Sequence, residues 1–300
     1  MDDPAHPQPE RRARKLFNAV TCTSATACTA VGAYRTAGQP LALAERWNGT
    51  GWSIQTVPLP AGASAGELRA VSCGAAFCTA VGNLNRAGAI VTFAVRWNGT
   101  SWSVQSTPNA TGADNALSGV SCPSSTACTA VGAATGIGTL AERWNGTSWS
   151  IQSTPALGGL SGSTAGVSCP TTTACTAVGS MGDPRGGSLS VRPLAQRWNG
   201  TSWAPQTVPN PSGASFTRLT GVNCASDTSC VAVGTYLNSA EREVPMAQRW
   251  NGSSWSVEAA PAPAAAHSHL DAVSCPAGAG CMAVGHAVRA VSVPLVERYG

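Results

Sequence analysis

Along the chain, small or branched apolar residues alternate with Ser, Thr and Asn in short segments, each closed by a turn signal. Such period-two segments read as half-buried strands. Between residues 117 and 154 the pattern predicts four of them, at 117–122, 128–133, 139–144 and 149–154. Asn145-Gly146 falls between the last two and marks a tight hairpin, because both residue types tolerate positive φ. Trp144 and Trp149 then flank the turn on paired strands, where large aromatic pairs stabilise cross-strand packing. This four-strand unit, about fifty residues long, occurs six times. A repeat of that length, built from strands and turns at fixed places, predicts an all-β fold. The expected fold is a six-bladed β-propeller of four-stranded antiparallel blades.

The register of the repeat is explicit. The first cysteines are Cys22, Cys73, Cys122, Cys169, Cys224 and Cys275, and the second are Cys28, Cys78, Cys128, Cys175, Cys230 and Cys281. The first aromatic positions are Trp47, Trp97, Trp144, Trp198, Trp250 and Tyr299. Second tryptophans follow at Trp52, Trp102, Trp149, Trp203 and Trp255, and the sixth copy stops before its own. The last blade is therefore expected to lack its outer strand. Residues 1–15 read as a flexible tail, and residues 16–300 as a single propeller domain.

Each cysteine pair brackets the turn between the first two strands of a blade, so the thiols face each other across a hairpin. Zinc would need a tighter Cys-x-x-Cys spacing or histidines repeating with the same period, and neither is present. Six disulfides are therefore expected, each contributing about 2.4 kcal/mol by the chain-entropy argument for so short a loop. They imply an oxidising compartment. Residues 1–30 hold no apolar stretch of signal-peptide length, so a secreted or cell-surface location implies a signal already removed or a domain of a longer exported protein.

Charge adds little. Only 11% of residues are charged, Lys15 is the sole lysine, and Arg11, Arg12, Arg14 and Lys15 form the one basic cluster. No basic stripe is interleaved with aromatics, which argues against nucleic acid. No segment reads as a transmembrane span. The Arg before each first aromatic (Arg46, Arg96, Arg143, Arg197, Arg249 and Arg298) recurs in every copy. It is expected to stack on a Trp or bind a backbone carbonyl. Asn48, Asn98, Asn145, Asn199 and Asn251 also spell glycosylation acceptors, which the turn chemistry explains without a glycan.

Taken together, the cysteine pair, Ala-Val-Gly, Glu-Arg-Trp-Asn-Gly-Thr-Ser-Trp-Ser and Thr-Pro-Asn resemble the repeats of many exported actinobacterial proteins. That resemblance covers residues 16–300 and implies a β-propeller. It implies no activity, because most such proteins have none assigned.

Function is expected where the copies differ. The Cys loop and the Asn-Gly loop share one face and are nearly constant. The loops between second and third strands lie on the other face and diverge, carrying Tyr34 and Arg35 in the first copy, Arg185 in the fourth, Glu241, Arg242 and Glu243 in the fifth, and His286 and Arg289 in the sixth. Six and four residues before the first cysteines stand Glu67 and Arg69, Arg218, and His269 and Asp271. These five are candidate members of one polar binding cluster at the mouth of the central channel. The run His267-Ser268-His269-Leu270-Asp271 occurs only in the sixth copy. If extended, it projects His267, His269 and Asp271 to one side, as an open three-ligand metal site requires. No cofactor is otherwise expected, and no nucleophile constellation stands out.

The reading is an exported binding module with a carbohydrate as leading ligand. The alternatives are an enzyme with one site at the channel mouth, metal-dependent or not, and a ring that binds a protein partner.

Overall fold

The computed structural model describes residues 14–35, 39–183, 191–261, 267–276, 280–288 and 292–299. These fall into two compact units, one running to Ala130 with Glu142–Ile151 added, the other comprising Val131–Ala141 and the residues from Gln152 on. The chain is an all-β propeller of six antiparallel sheets, five with four strands and the last with three. In the first sheet, β1 (Arg14–Ser24), β2 (Ala27–Arg35), β3 (Pro40–Trp47) and β4 (Trp52–Gln55) pair in chain order. The second, β5 (Ala63–Cys73) to β8 (Trp102–Gln105), repeats it. So do β9 (Asn115–Ser124) to β12 (Trp149–Gln152) and β13 (Ser161–Thr171) to β16 (Trp203–Gln206). The fifth sheet comprises β17 (Phe216–Ser226), β18 (Ser229–Leu237), β19 (Glu243–Trp250) and β20 (Trp255–Glu258). The sixth has only β21 (His267–Ser274), β22 (Cys281–Val288) and β23 (Ser292–Tyr299). Arg14 and Lys15 of the basic cluster belong to β1, where the Lys15 ammonium meets Glu45 Oε1 at 2.8 Å. Arg11, Arg12, Arg185 and Arg289 lie outside the described residues.

Almost every constant residue of the repeat is used to hold the scaffold together. All six cysteine pairs are disulfides. The Ser of Val-Ser-Cys accepts a hydrogen bond from the backbone of the next blade: Ser72 from Cys122 N at 3.0 Å and Ser168 from Cys224 N at 2.9 Å, with Asn223 doing the same for Cys275. The Thr of Cys-Thr-Ala-Val-Gly is buried against the next disulfide, Thr29 at 3.6 Å from Cys78 Sγ and Thr176 at 3.8 Å from Cys230 Sγ. The recurrent Arg stacks on the first Trp of the following blade, as Arg46 does on Trp97 and Arg197 on Trp250. Such cation–π contacts are worth about 0.5–2 kcal/mol each. In two blades the second Trp reaches back instead, Trp149 Nε1 donating to Gln105 and Trp255 Nε1 to Gln206.

The hairpin between the two tryptophans differs from the expected tight turn. Trp47 pairs with Trp52 across four loop residues, and only the glycine has positive φ, +96° at Gly49. The Asn keeps an ordinary backbone and caps the loop with its side chain: Asn48 Oδ1 accepts from Thr50 N, Thr50 Oγ1 and Gly51 N, each at 2.9 Å. Asn in this place therefore serves as an Asx turn, a local substitute for a backbone partner. The loop also touches the Cys loop, since Trp47 Nε1 donates to Ala25 O at 3.3 Å and the Gly49 backbone packs on Thr26. The constant loops thus share one face, and the diverged ends of the strands lie opposite.

One irregularity positions the candidate site. In blades one, two, four, five and six the first strand carries a β-bulge at Asn18, Arg69, Ala165, Thr220 and Asp271 respectively. A bulge leaves its extra residue without a cross-strand partner and re-aims the side chain. It also drives the carbonyl two residues earlier against the glycine of Ala-Val-Gly. A Cβ on Gly82 would lie 2.0 Å from Glu67 O, and one on Gly285 only 1.9 Å from His269 O. That close approach is why the position is glycine in every copy.

Below the bulges the core is thin. Leu68, Leu117, Leu219 and Leu270 are buried at the same register position, with Val31, Val81, Val131, Val178 and Val233 behind them. The residue before each Arg-Trp or Arg-Tyr is also buried, and in blades one, three and six it is a carboxylic acid, Glu45, Glu142 and Glu297, of which Glu142 is the most deeply buried. Glu142 is fully buried beside Thr92, with neither carboxyl oxygen in good hydrogen-bond geometry. Burial pushes its pKa up to about 8, and the Thr92 hydroxyl offsets only part of this.

Candidate functional site

The bulge creates three adjacent slots in a blade: the residue whose carbonyl meets the glycine, the bulge residue itself, and the residue after the glycine, which pairs with the first. In blade five these are Arg218, Thr220 and Thr235. In blade six they are His269, Asp271 and His286, with His269 and His286 directly opposite on β21 and β22. Thr220 is absorbed by the scaffold, its hydroxyl donating to Leu270 O at 2.7 Å. Asp271 faces the two imidazoles instead, Oδ1 at 3.6 Å from His269 Nε2 and Oδ2 at 3.2 Å from His286 Nδ1. The rings meet edge to face with centroids 3.6 Å apart. One ligand atom from each of the three residues lies within 4.8 Å of the others.

Blade five completes the cluster. Glu243, the first residue of β19, places Oε2 at 3.7 Å from His269 Nδ1 and Oε1 at 3.9 Å from Arg218. His269 is the most enclosed of the charged group, with 16% of its side chain exposed against 53% for Asp271. Burial holds its imidazole below the ordinary histidine value, Asp271 and Glu243 pulling it up and His286 and Arg218 pushing it down. Asp271 and His286 remain open to solvent, so a ligand has access from one side.

The residues expected from sequence divide into two sets. Arg218, His269 and Asp271 come together in this cluster. Glu67 and Arg69 form their own ion pair in blade two, Oε1 lying 2.7 Å from both Nε and NH2 of the guanidinium. His267 is turned aside and accepts a hydrogen bond from Glu243 N at 3.3 Å. His286 stands in the trio in its place. Its role follows from the bulge: counting outward from the Cys275–Cys281 hairpin without it sets His269 against Ala287, and the extra residue moves the partner to His286. Among the other residues of the diverged loops, Tyr34 is buried, and burial raises its phenol pKa. Asn238 is used in its own turn, accepting from Ala240 N and Arg242 N.

No protein-family model matches the chain, and no curated protein does. Solved structures do. YCF48 bound to a D1 peptide is 13% identical, with 94% of this chain and 83% of that one covered at a TM-score of 0.53. The SapL1 lectin in complex with α-methyl fucoside is 10% identical, with 91% and 92% covered and a TM-score of 0.52. The fungal lectin of Aleuria aurantia, a six-bladed propeller with a fucose recognition mode, is 16% identical, with 82% and 79% covered and a TM-score of 0.50. At these identities the likeness shows the fold alone. The six disulfides fit an extracellular or otherwise oxidising compartment. Among the described residues no helix is long and apolar enough to cross a membrane.

Proposed function

We propose that this protein is a secreted or cell-surface binding module for saccharides, with its ligand seated on the Arg218–Glu243–His269–Asp271–His286 cluster. The observation that carries the reading is the composition of that cluster. A guanidinium, two carboxylates and two imidazoles converge on the diverged ends of blades five and six, with Asp271 and His286 exposed. Sugar hydroxyls in neighbouring pairs need donors and acceptors side by side, and ionised partners make the stronger hydrogen bonds. A rigid scaffold that presents such groups on variable strand ends is a usual way to build a ligand site. The lectin likeness supports the same class of ligand by analogy of fold.

The test is a glycan and polysaccharide array probed with the oxidised protein, with and without EDTA. Binding should fall at least tenfold in Arg218→Ala and His286→Ala and persist in Arg69→Ala. An array that stays blank in both buffers would overturn the saccharide reading.

A further inference from the structure

We infer that His269, Asp271 and His286 form a zinc site, with Glu243 as the group that orients His269. The site is the same cluster as in the saccharide reading, now with a cation named for it, but it rests on side-chain geometry and not on any sugar.

Two imidazoles and one carboxylate, with a fourth position open, are a standard donor set for zinc. Ligand atoms about 2.0–2.1 Å from a tetrahedral ion lie about 3.3–3.4 Å from one another. The carboxylate lies at about that separation from both rings, Oδ1 at 3.6 Å from His269 Nε2 and Oδ2 at 3.2 Å from His286 Nδ1, and one ligand atom of each residue lies within 4.8 Å of the others. Binding one ion requires the side chains to turn inward from that 4.8 Å envelope, with Asp271 offering one oxygen or both. The backbone already enforces the convergence. The β21–β22 register places the imidazoles opposite each other, and the bulge brings the carboxylate to the same end without a backbone partner of its own.

His269 supplies a second, independent observation. Its Nε2 faces Asp271 and the open side, while its Nδ1 is buried and makes no hydrogen bond, the nearest acid being Glu243 Oε2 at 3.7 Å. A metal-bound imidazole characteristically gives its other N–H to a carboxylate, which sets the tautomer and the ring orientation. Glu243 occupies that place and is itself held by Arg218. Two nitrogen donors disfavour calcium and magnesium, which take oxygen ligands, and favour zinc or a later transition ion. The exposure of Asp271 and His286 leaves room at the fourth position for water or for a hydroxyl of a bound ligand.

The experiment is a zinc titration of the EDTA-stripped, disulfide-intact protein by calorimetry, in buffer without saccharide. Cobalt(II) is added in parallel as a visible-absorption probe of coordination. One ion per chain should bind saturably. His286→Gln and Asp271→Asn should each weaken binding at least tenfold and remove the cobalt spectrum. Glu243→Gln should weaken binding about tenfold to a hundredfold, as loss of such an orienting acid does. His267→Gln should leave affinity unchanged. Absence of saturable one-to-one binding overturns the inference, as does a His286→Gln and Asp271→Asn pair that binds like the parent. A blank glycan array leaves the zinc result standing, and an EDTA-insensitive sugar signal leaves the saccharide result standing, so the two readings fail separately.

Discussion

Blades two and six use the same three slots and reach opposite outcomes. In blade two the slots hold Glu67, Arg69 and Asn83, and the bulge residue closes on its neighbour as a 2.7 Å ion pair. In blade six they hold His269, Asp271 and His286, and the bulge residue stands between two imidazoles that are both able to act as ligands. The backbone is the same device in both, a bulge forced against the glycine of Ala-Val-Gly. Blade five shows a third use, in which Thr220 ties its blade to Leu270 of the next. In the five blades with a described bulge, the repeat thus offers a bulge position that the scaffold does not dictate. The slot's occupant decides whether it is glue, a neutralised pair or a site.

The strongest way to break this comparison is to remove the device itself. Gly82→Ala and Gly285→Ala each place a methyl about 2 Å from a backbone carbonyl. Neither backbone can yield without losing the bulge, so each substitution should cost 4 kcal/mol or more, in the range about which point mutants become exceptional. Thermal unfolding should show comparable losses in both. A large loss at Gly82 with none at Gly285 would mean the two blades are not built alike.

A second contrast concerns the buried position before Arg-Trp, which is Glu142 in blade three and Gln196 and Gln248 in blades four and five. The Glu142 carboxyl has a raised pKa of about 8, so the folded chain holds its proton more tightly than the unfolded chain does. Stability from this group is present below the unfolded value, near 4.5, and is lost as pH rises toward 8 and beyond. The loss should be on the order of 4 kcal/mol, because one pKa unit corresponds to about 1.4 kcal/mol. Glu142→Gln, which copies blades four and five, should abolish this fall. Denaturant unfolding of both proteins at pH 5 and pH 9 measures it, and parallel pH profiles would refute the prediction.

The comparison is sharpened most directly by transplanting the site. Glu67→His, Arg69→Asp and Asn83→His together rewrite the slots of blade two as those of blade six. The triple variant should gain a second zinc equivalent, weaker by about tenfold to a hundredfold than the first because blade two lacks a counterpart of Glu243 among the substitutions. A stoichiometry that stays at one, in a variant that melts like the parent, would show that the three slots are insufficient.

Much of the architecture was legible because the repeat writes the same physics six times. Cysteine pairs across a hairpin, alternating apolar positions and a Trp on either side of each Asn-Gly loop leave few other folds open. The sixth sheet has three strands, in line with a copy that runs to Tyr299 in this sequence. The site was legible only in part. His269 and Asp271 stood out because they break the repeat, and Arg218 because it is charged at a constant position. In the sequence His286 reads only as a loop residue, because a bulge of one residue is invisible to strict alternation and shifts every partner beyond it. His267 stays outside the trio because it lies two pairs further out, opposite Val288, and accepts from Glu243 N.

The repeat in the sequence determined by itself the sheet count, the disulfides and the constant hairpins, because each depends on residues close together in the chain. Trp52 and Trp255 have the same local sequence signals, yet one is 47% exposed and the other 5%. Only tertiary packing decides that, since the Trp255 indole is held by a glutamine of the preceding blade. The candidate site belongs to the second kind. Glu243 and His269 stand 26 positions apart on different sheets, and His269 and His286 are 17 apart on neighbouring strands. Local propensity carries no information about such pairs. Their chemistry comes from cross-strand register, a bulge and the packing of one blade against the next.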